Sequence, residues 1–139
     1  LLNAYTCTEC GRCTSSCPAN LTGKKLSPRK IMMDTRDRLE EVGKNIDANK
    51  GVFVPDNKTL LNDYITPEEL WACTSCNACV EECPVNISPL SIIMDMRRYL
   101  VMEQSAAPMP LNAMMTNIEN NGAPWQYSQQ DRLNWKNEN

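Results

Sequence analysis

Apolar residues recur at helical spacing in a stretch that begins at residue 28. Its apolar positions are Ile31, Met32, Leu39 and Val42. Ser27 precedes this stretch and Pro28 opens it, which are the residue types preferred at a helix N-cap and at the first helical position. Glycine commonly follows the last turn of a helix, and Gly43 comes directly after the last apolar position. The pattern therefore predicts a helix that starts at Pro28 and ends at Gly43.

A second stretch with the same spacing follows Ser88 and Pro89. Its apolar face consists of Ile92, Ile93, Met96, Tyr99 and Leu100. Several apolar residues on one face are typical of an amphipathic helix that packs against a core. We predict a helix from Pro89 to about Glu103.

Shorter patterns complete the predicted elements. Thr66 is followed three residues later by Glu69, the spacing of a capping box, which predicts a helix through Trp71. Residues 1–5 are expected to be the end of a corresponding helix, and the chain is expected to be a piece of a longer protein. Residues 52–54 are expected to form a brief strand.

Eight cysteines fall into two blocks with one spacing, C-x2-C-x2-C-x3-C-P. The first block is CTECGRCTSSCPAN at residues 7–20, and the second is CTSCNACVEECPVN at residues 73–86. An offset of 66 residues aligns the blocks, and an offset of 61 aligns LSPRKIMMDTR at 26–36 with ISPLSIIMDMR at 87–97. The first copy carries an extra loop, LTGKK. The repeat predicts two equivalent structural halves.

Three kinds of site concentrate cysteines in this way. Cysteines three residues apart on a tight turn are poorly placed to pair with each other, and no secretory context is visible, which disfavours a disulfide framework. Structural zinc sites usually present two separated cysteine pairs rather than three cysteines in one run. The full spacing of both blocks matches the bacterial [4Fe-4S] ferredoxin pattern. We therefore expect two [4Fe-4S] clusters as cofactors.

The ferredoxin pattern implies a crossed set of ligands, because the fourth cysteine of each block binds the other cluster. The expected ligands of one cluster are Cys7, Cys10, Cys13 and Cys83. The expected ligands of the other are Cys73, Cys76, Cys79 and Cys17. The chain has no histidine, so these thiolates are the only evident metal ligands. No catalytic residue is predicted.

Composition removes several other classes of function. The net charge is -3 with both signs well mixed, which gives no basic surface for nucleic acid. No apolar run approaches the roughly 18 residues that span a bilayer. No glycine-rich phosphate loop is present, so nucleotide binding has no support.

The paired blocks, the helical insert between them and the segment CGRCTSSCPA resemble a known family. They are similar to the α-helical ferredoxin modules of heterodisulfide reductase, of the glycolate oxidase iron-sulfur subunit and of succinate dehydrogenase-type subunits, and most similar to heterodisulfide reductase-like iron-sulfur oxidoreductases. The resemblance implies an all-α ferredoxin domain at residues 1–105. Its two pseudo-symmetric halves would be residues 1–43 and 63–105, with a connector at 44–62. Residues 106–139 would be a tail or linker toward a catalytic domain.

The function implied by the resemblance is electron transfer within a larger oxidoreductase. The expected partner is one of three kinds: a domain with Cys-Cys-Gly motifs, a flavoprotein, or a membrane quinone or cytochrome component. This chain contains no Cys-Cys-Gly motif. The expected location is the cytoplasm, or the cytoplasmic face of the membrane through the rest of the protein or a partner. An iron-sulfur redox sensor or binding module is the alternative, followed by a structural zinc protein. No substrate site is evident, so the sequence leaves open whether the chain is an enzyme.

Overall fold

The computed structural model describes residues 2–137 and consists of helices and turns. Its α-helices are α1 (Leu2–Tyr5), α2 (Arg12–Ser15), α3 (Pro18–Leu21), α4 (Pro28–Ala48), α5 (Pro67–Ala72), α6 (Ala78–Glu81), α7 (Pro89–Met102) and α8 (Met109–Asn121). A π-type turn, Leu60–Tyr64, precedes α5, and a 3-10 helix, Gln129–Lys136, follows α8. The described residues contain an isolated bridge between Leu61 and Ile65 but no β-strand. The predicted all-α fold is confirmed.

The long helices of the two halves, α4 and α7, begin in the same way. The Ser27 hydroxyl accepts a hydrogen bond from the Lys30 N–H at 3.3 Å. The Ser88 hydroxyl accepts one from the Ser91 N–H at 3.1 Å. Such caps satisfy N–H groups that have no partner within the helix. Both predicted starts are confirmed, and α7 ends at Met102, one residue before the predicted end.

Helix α4 is longer than the sequence predicts. It passes through Gly43 and continues to Ala48, so the predicted end at Gly43 is wrong. A single glycine inside a helix costs only about 1 kcal/mol relative to alanine, which does not by itself end a helix. The chain reverses instead at Gly51, whose φ is 91° and whose N–H donates to the Ile46 carbonyl at 2.9 Å.

The expected strand at residues 52–54 is absent. Asn45, on α4, occupies the place of a neighbouring strand: its Oδ1 accepts a hydrogen bond from the Val54 N–H at 2.9 Å, and its Nδ2 donates to the Val54 carbonyl at 3.0 Å. One side chain satisfies the backbone of one residue and cannot extend a ladder. The strand prediction is therefore wrong.

Arg38 holds residues 56–58, which follow this segment, against α4. Its Nη1 lies 2.5 Å from Asp56 Oδ2, and its Nη2 donates to Asp56 Oδ1 at 2.8 Å. Nη2 also donates to the Lys58 carbonyl at 2.7 Å. Paired hydrogen bonds between a guanidinium and a carboxylate fix both position and orientation. Residues 54–58 are thus held against α4 by side chains rather than by pairing in a sheet.

Helix α5 begins with the predicted capping box. The Thr66 N–H donates to Glu69 Oε2 at 2.8 Å, and the Thr66 hydroxyl accepts from the Glu69 N–H at 3.4 Å. Glu69 is buried, and its Oε1 lies 2.9 Å from Lys30 Nζ. The same Nζ lies 2.7 Å from Asp34 Oδ2 and donates to the Tyr64 carbonyl at 2.8 Å. Lys30 therefore joins the start of α4 to the start of α5.

The chain divides into two compact units between Tyr99 and Leu100, and both cysteine blocks lie in the first. In the second unit, α8 is capped at its C-terminus by Gly122, whose φ is 64° and whose N–H donates to the Ile118 carbonyl at 2.9 Å. Across residues 2–137, every helix is too short or too polar to traverse a lipid bilayer. The domain limits derived from the sequence stay a prediction.

Candidate metal centres

Each cysteine block forms a tight turn that contains two left-handed residues. In the first block these are Glu9, with φ 58°, and Gly11, with φ 80°. In the second they are Ser75, with φ 56°, and Asn77, with φ 62°. The offset of 66 residues aligns the two pairs. Turns with left-handed residues can direct backbone N–H groups toward an anion. The repeat in sequence is thus also a repeat in backbone conformation.

A short helix carries the third cysteine of each block. Helix α2 contains Cys13, and α6 contains Cys79. The N-cap residue of each helix is left-handed, Gly11 in the first and Asn77 in the second. These helices therefore place the third cysteine of each block directly after its turn.

A cavity, termed the first cavity, opens beside the turn of the first block. The cysteines in its wall are Cys7, Cys10, Cys13 and Cys83. The apolar residues in its wall include Met32, Val85, Ile87 and Pro89, and the charged ones are Glu9 and Arg29. The last cysteine of the second block is thus brought beside the first three cysteines of the first block.

A cavity, termed the second cavity, opens beside the turn of the second block. The cysteines in its wall are Cys73, Cys76, Cys79 and Cys17. The apolar residues include Leu26, Pro28, Leu90 and Ile93, and no charged side chain is among the described residues that line it. Each block therefore contributes its last cysteine to the cavity beside the turn of the other block.

The donor set in each cavity fits a [4Fe-4S] cluster. All eight cysteines are free thiols. Within residues 2–137, no three His, Cys, Asp or Glu side chains converge as closely as one metal ion requires. Four sulfurs within an otherwise mostly apolar wall instead suit a cluster, which is bound by four thiolates around a body larger than a single ion.

Burial disfavours the ionisation of two of these thiols, Cys79 and Cys13, when no cation is bound. It raises the pKa of Cys79 to about 11, and the adjacent Cys73, Cys13 and Cys17 contribute to the same rise. Burial also raises the pKa of Cys13. The pKa of Cys76 is lowered by a hydrogen bond from a backbone N–H. Metal binding must therefore displace protons from Cys13 and Cys79, which couples metal uptake to the formation of the site.

Two arginines at aligned positions of the repeat brace the cysteine turns. Arg36 Nη2 lies 2.6 Å from Glu9 Oε1. Arg97, 61 residues later, donates from Nη2 to the Leu70 carbonyl at 2.6 Å and to the Cys73 carbonyl at 2.5 Å. The sequence marks both arginines as members of the repeat, but their contacts become evident only in the structure.

Known iron-sulfur proteins are similar to this chain in sequence. The family model for 4Fe-4S dicluster domains matches residues 6–87. The probable iron-sulfur-binding oxidoreductase FadF of Bacillus subtilis is 36% identical to the chain, over 99% of the chain and 24% of that protein. The EtfAB:quinone oxidoreductase of Syntrophomonas wolfei is 34% identical, over 99% of the chain and 22% of that protein. The chain therefore spans about a quarter of the length of these relatives.

A third relative is shorter. It is one of the subunits of the ferredoxin/F(420)H(2)-dependent CoB-CoM heterodisulfide reductase of Methanosarcina acetivorans, and it is 35% identical over 77% of the chain and 52% of that protein. The expected likeness to heterodisulfide reductase and related iron-sulfur oxidoreductases is confirmed, as are the two [4Fe-4S] clusters. The chain belongs to the 4Fe-4S dicluster domain family.

Proposed function

We propose that each cluster is held by three consecutive cysteines of one block and the last cysteine of the other. The proposed sets are Cys7, Cys10, Cys13 and Cys83 for one cluster, and Cys73, Cys76, Cys79 and Cys17 for the other. The supporting observation is that the same two sets line the first and second cavities. Each half then needs the other to complete its cluster.

The module passes single electrons through these two sites. Each cluster, when bound, takes up and releases one electron without making or breaking a bond. The chain itself positions the thiolates. The left-handed turns orient the cysteines, Arg36 and Arg97 brace those turns, and apolar side chains such as Ile87 and Ile93 cover the cavities.

The module is proposed to span residues 1–105, with halves at 1–43 and 63–105 and a connector at 44–62. Residues 106–139 would lead toward a catalytic domain. In this proposal the substrate site lies in a larger oxidoreductase, and the partner is a Cys-Cys-Gly domain, a flavoprotein or a membrane quinone or cytochrome component. The name of the Syntrophomonas wolfei relative includes quinone, which supports a quinone-reactive partner. Such a partner would place the module at the cytoplasmic face of a membrane.

The first test is reconstitution of the chain under anaerobic conditions. The expected product contains about eight iron and eight sulfide per chain. Titration with dithionite should then reduce two clusters reversibly, one electron each, as followed by absorbance and electron paramagnetic resonance. Stoichiometric zinc without sulfide, or clusters that are destroyed when reduced, would overturn electron transfer as the function.

The second test distinguishes crossed from uncrossed ligand sets with two double variants. Under the crossed assignment, Cys13→Ser with Cys83→Ser removes two ligands from one cluster and leaves the other four-iron cluster intact. Cys13→Ser with Cys17→Ser removes one ligand from each cluster and leaves no four-cysteine site. Uncrossed sets reverse the two results. Iron counts and the paramagnetic resonance signal of a reduced four-iron cluster give the answer.

A further inference from the structure

The two cavities differ in charge at one aligned pair of lining positions. Met32 in the first cavity and Ile93 in the second are equivalent through the offset of 61 residues, and both are apolar. The same offset pairs Arg29 in the first cavity with Leu90 in the second. A cation therefore lines one cavity where a hydrocarbon side chain lines the other.

Arg29 is held over the turn of the first block by its backbone. Its N–H donates to Thr14 Oγ1 at 3.2 Å. Its Nη1 lies 3.8 Å from the position that a Cβ atom on Gly11 would occupy, between Cys10 and Cys13. The guanidinium has no hydrogen bond or ion pair with any residue in the described part of the chain. Its charge is thus available to whatever the first cavity holds.

The other charges near the turns do not cancel this difference. The Glu9 carboxylate also lines the first cavity, but Arg36 lies 2.6 Å from it and matches its charge. At the equivalent position in the second block Ser75 is neutral, and Arg97, which does not itself line the second cavity, donates to the backbone carbonyls of Leu70 and Cys73. Of these groups, Arg29 is the unmatched charge that lines a cavity.

The short helices add to the contrast. Helix α2 carries Arg12, and the aligned position in α6 is Ala78. Helix α6 carries Glu81 and is followed by Glu82, where the first block has two serines. The first turn is therefore flanked by more positive charge than the second.

The solvent exposure of the cysteines, like the nearby charges, favours added negative charge in the first cavity. Cys17 and Cys79, which are buried, both line the second cavity. None of the four cysteines of the first cavity is buried. Water and nearby cations both stabilise added negative charge, and cluster potentials depend on charge and solvent exposure.

We infer that the site lined by Cys7, Cys10, Cys13 and Cys83 has the higher reduction potential and that Arg29 sets the difference. The inference rests on the ligand sets proposed above. At equilibrium one electron leaves the second site, which is oxidised, and reaches the first, which is reduced, with no proton or bond transferred. Electrons entering the module therefore collect at the more exposed site. Arg29 acts on the first site through its charge and does not bind substrate.

The test measures both midpoint potentials of the reconstituted chain by dithionite titration under paramagnetic resonance. Arg29→Leu should lower the higher potential, with a loss of about threefold to tenfold in the equilibrium constant for adding one electron. Tenfold corresponds to about 59 mV for a one-electron couple. The lower potential should not change. Arg29→Lys should restore most of the difference because it restores the charge.

Two further variants sharpen the outcome. Leu90→Arg should raise the lower potential, because it supplies the missing cation to the second cavity. Lys44→Gln removes an exposed charge from α4 outside both cavity walls and should move neither potential. Arg29→Leu overturns the inference if it moves neither potential, moves both equally or moves the lower one. A chain that takes up no clusters would overturn the proposed function instead, so the two failures are distinguishable.

Discussion

Arg97 Nη2 lies 2.6 Å from the carbonyl oxygen of Leu70, in the last turn of α5. The same nitrogen donates to the Cys73 carbonyl at 2.5 Å, and the guanidinium lies 4.9 Å from the centre of the Trp71 ring. Carbonyl groups at the end of a helix have no partner within it. Arg97 donates to the Leu70 carbonyl, which also accepts from the Cys73 N–H, and to the carbonyl of the C-cap residue Cys73, and so fixes the start of the second cysteine turn.

Arg97→Met should therefore destabilise one cluster selectively. Hydrogen bonds from a charged donor contribute about 1.5 kcal/mol or more each, so release of iron from the second site should accelerate at least about tenfold. Iron transfer to a chelator under anaerobic conditions measures this rate, and about half of the iron should leave early. Arg98→Met is the matched control, because Arg98 pairs with Asp95 and both are exposed. An equally fast release from that control would contradict the role given to Arg97.

Gly11 is required for the geometry of the first turn. Its φ is 80°, where a residue with a Cβ atom is strained by about 1 kcal/mol. Gly11→Ala should lower the denaturant midpoint of the cluster-loaded chain accordingly. Gly11→Asn should be milder, because asparagine tolerates left-handed φ and Asn77 occupies the equivalent position. The two variants should rank in that order, and the reverse order would show that space around the turn matters more than φ.

The helix starts were predictable because they depend on residues close in sequence. Ser27 and Thr66 cap N–H groups only three residues ahead, so the chemistry is local. The absence of a strand at residues 52–54 depends on Asn45, which bonds a residue nine positions later. No local pattern indicates that contact. For the end of α4, Gly43 indicated the wrong position, because glycine commonly follows the last turn of a helix but this helix continues past it.

Lys30 compensates a buried charge, and its removal should be costly. Burial alone would raise the pKa of Glu69, but hydrogen bonds from Thr66 and Lys30 outweigh it and hold the pKa below its ordinary value. Lys30→Gln leaves this carboxylate without its cation and should reduce stability by about 1 to 2 kcal/mol. Denaturant titration of the cluster-loaded chain measures the loss.

Lys44→Gln is the matched control for that change. Lys44 lies 4.0 Å from Glu40 at the surface of α4, and such exposed pairs contribute about 0 to 1 kcal/mol. Adding Glu69→Gln to Lys30→Gln should recover part of the lost stability, since no buried charge then remains. Equal effects of Lys30→Gln and Lys44→Gln would contradict this account.

Asp56 should titrate far below the usual range. Hydrogen bonds from Arg38 are the main cause that lowers its pKa to about 2 from 3.8. A lowered pKa in the folded state stabilises the fold fully above pH 3.8, and that contribution is lost as the pH falls toward 2. Arg38→Met should return the pKa toward its ordinary value. Carbon NMR of the Asp56 carboxyl group follows the titration, and an unchanged value in the variant would contradict the assignment.

The cysteine spacing identified the kind of cluster, because ligands of one turn must lie close in sequence. The difference in charge between the two cavities was harder to predict from the sequence. Arg29 and Leu90 stand at aligned positions, yet many side chains at the start of a helix point to solvent. Only the fold shows that both of these residues line a cavity.

The exchange of Cys17 and Cys83 between the cavities also bears on how such a chain could arise. One block by itself presents three cysteines at its own turn and sends the fourth elsewhere. A peptide with a single block would therefore complete its sites only by associating with a second copy of itself. Under the proposed ligand sets and connector limits, a symmetric pair of short chains is the simplest ancestor, and residues 44–62 would then be the segment that joined the two copies.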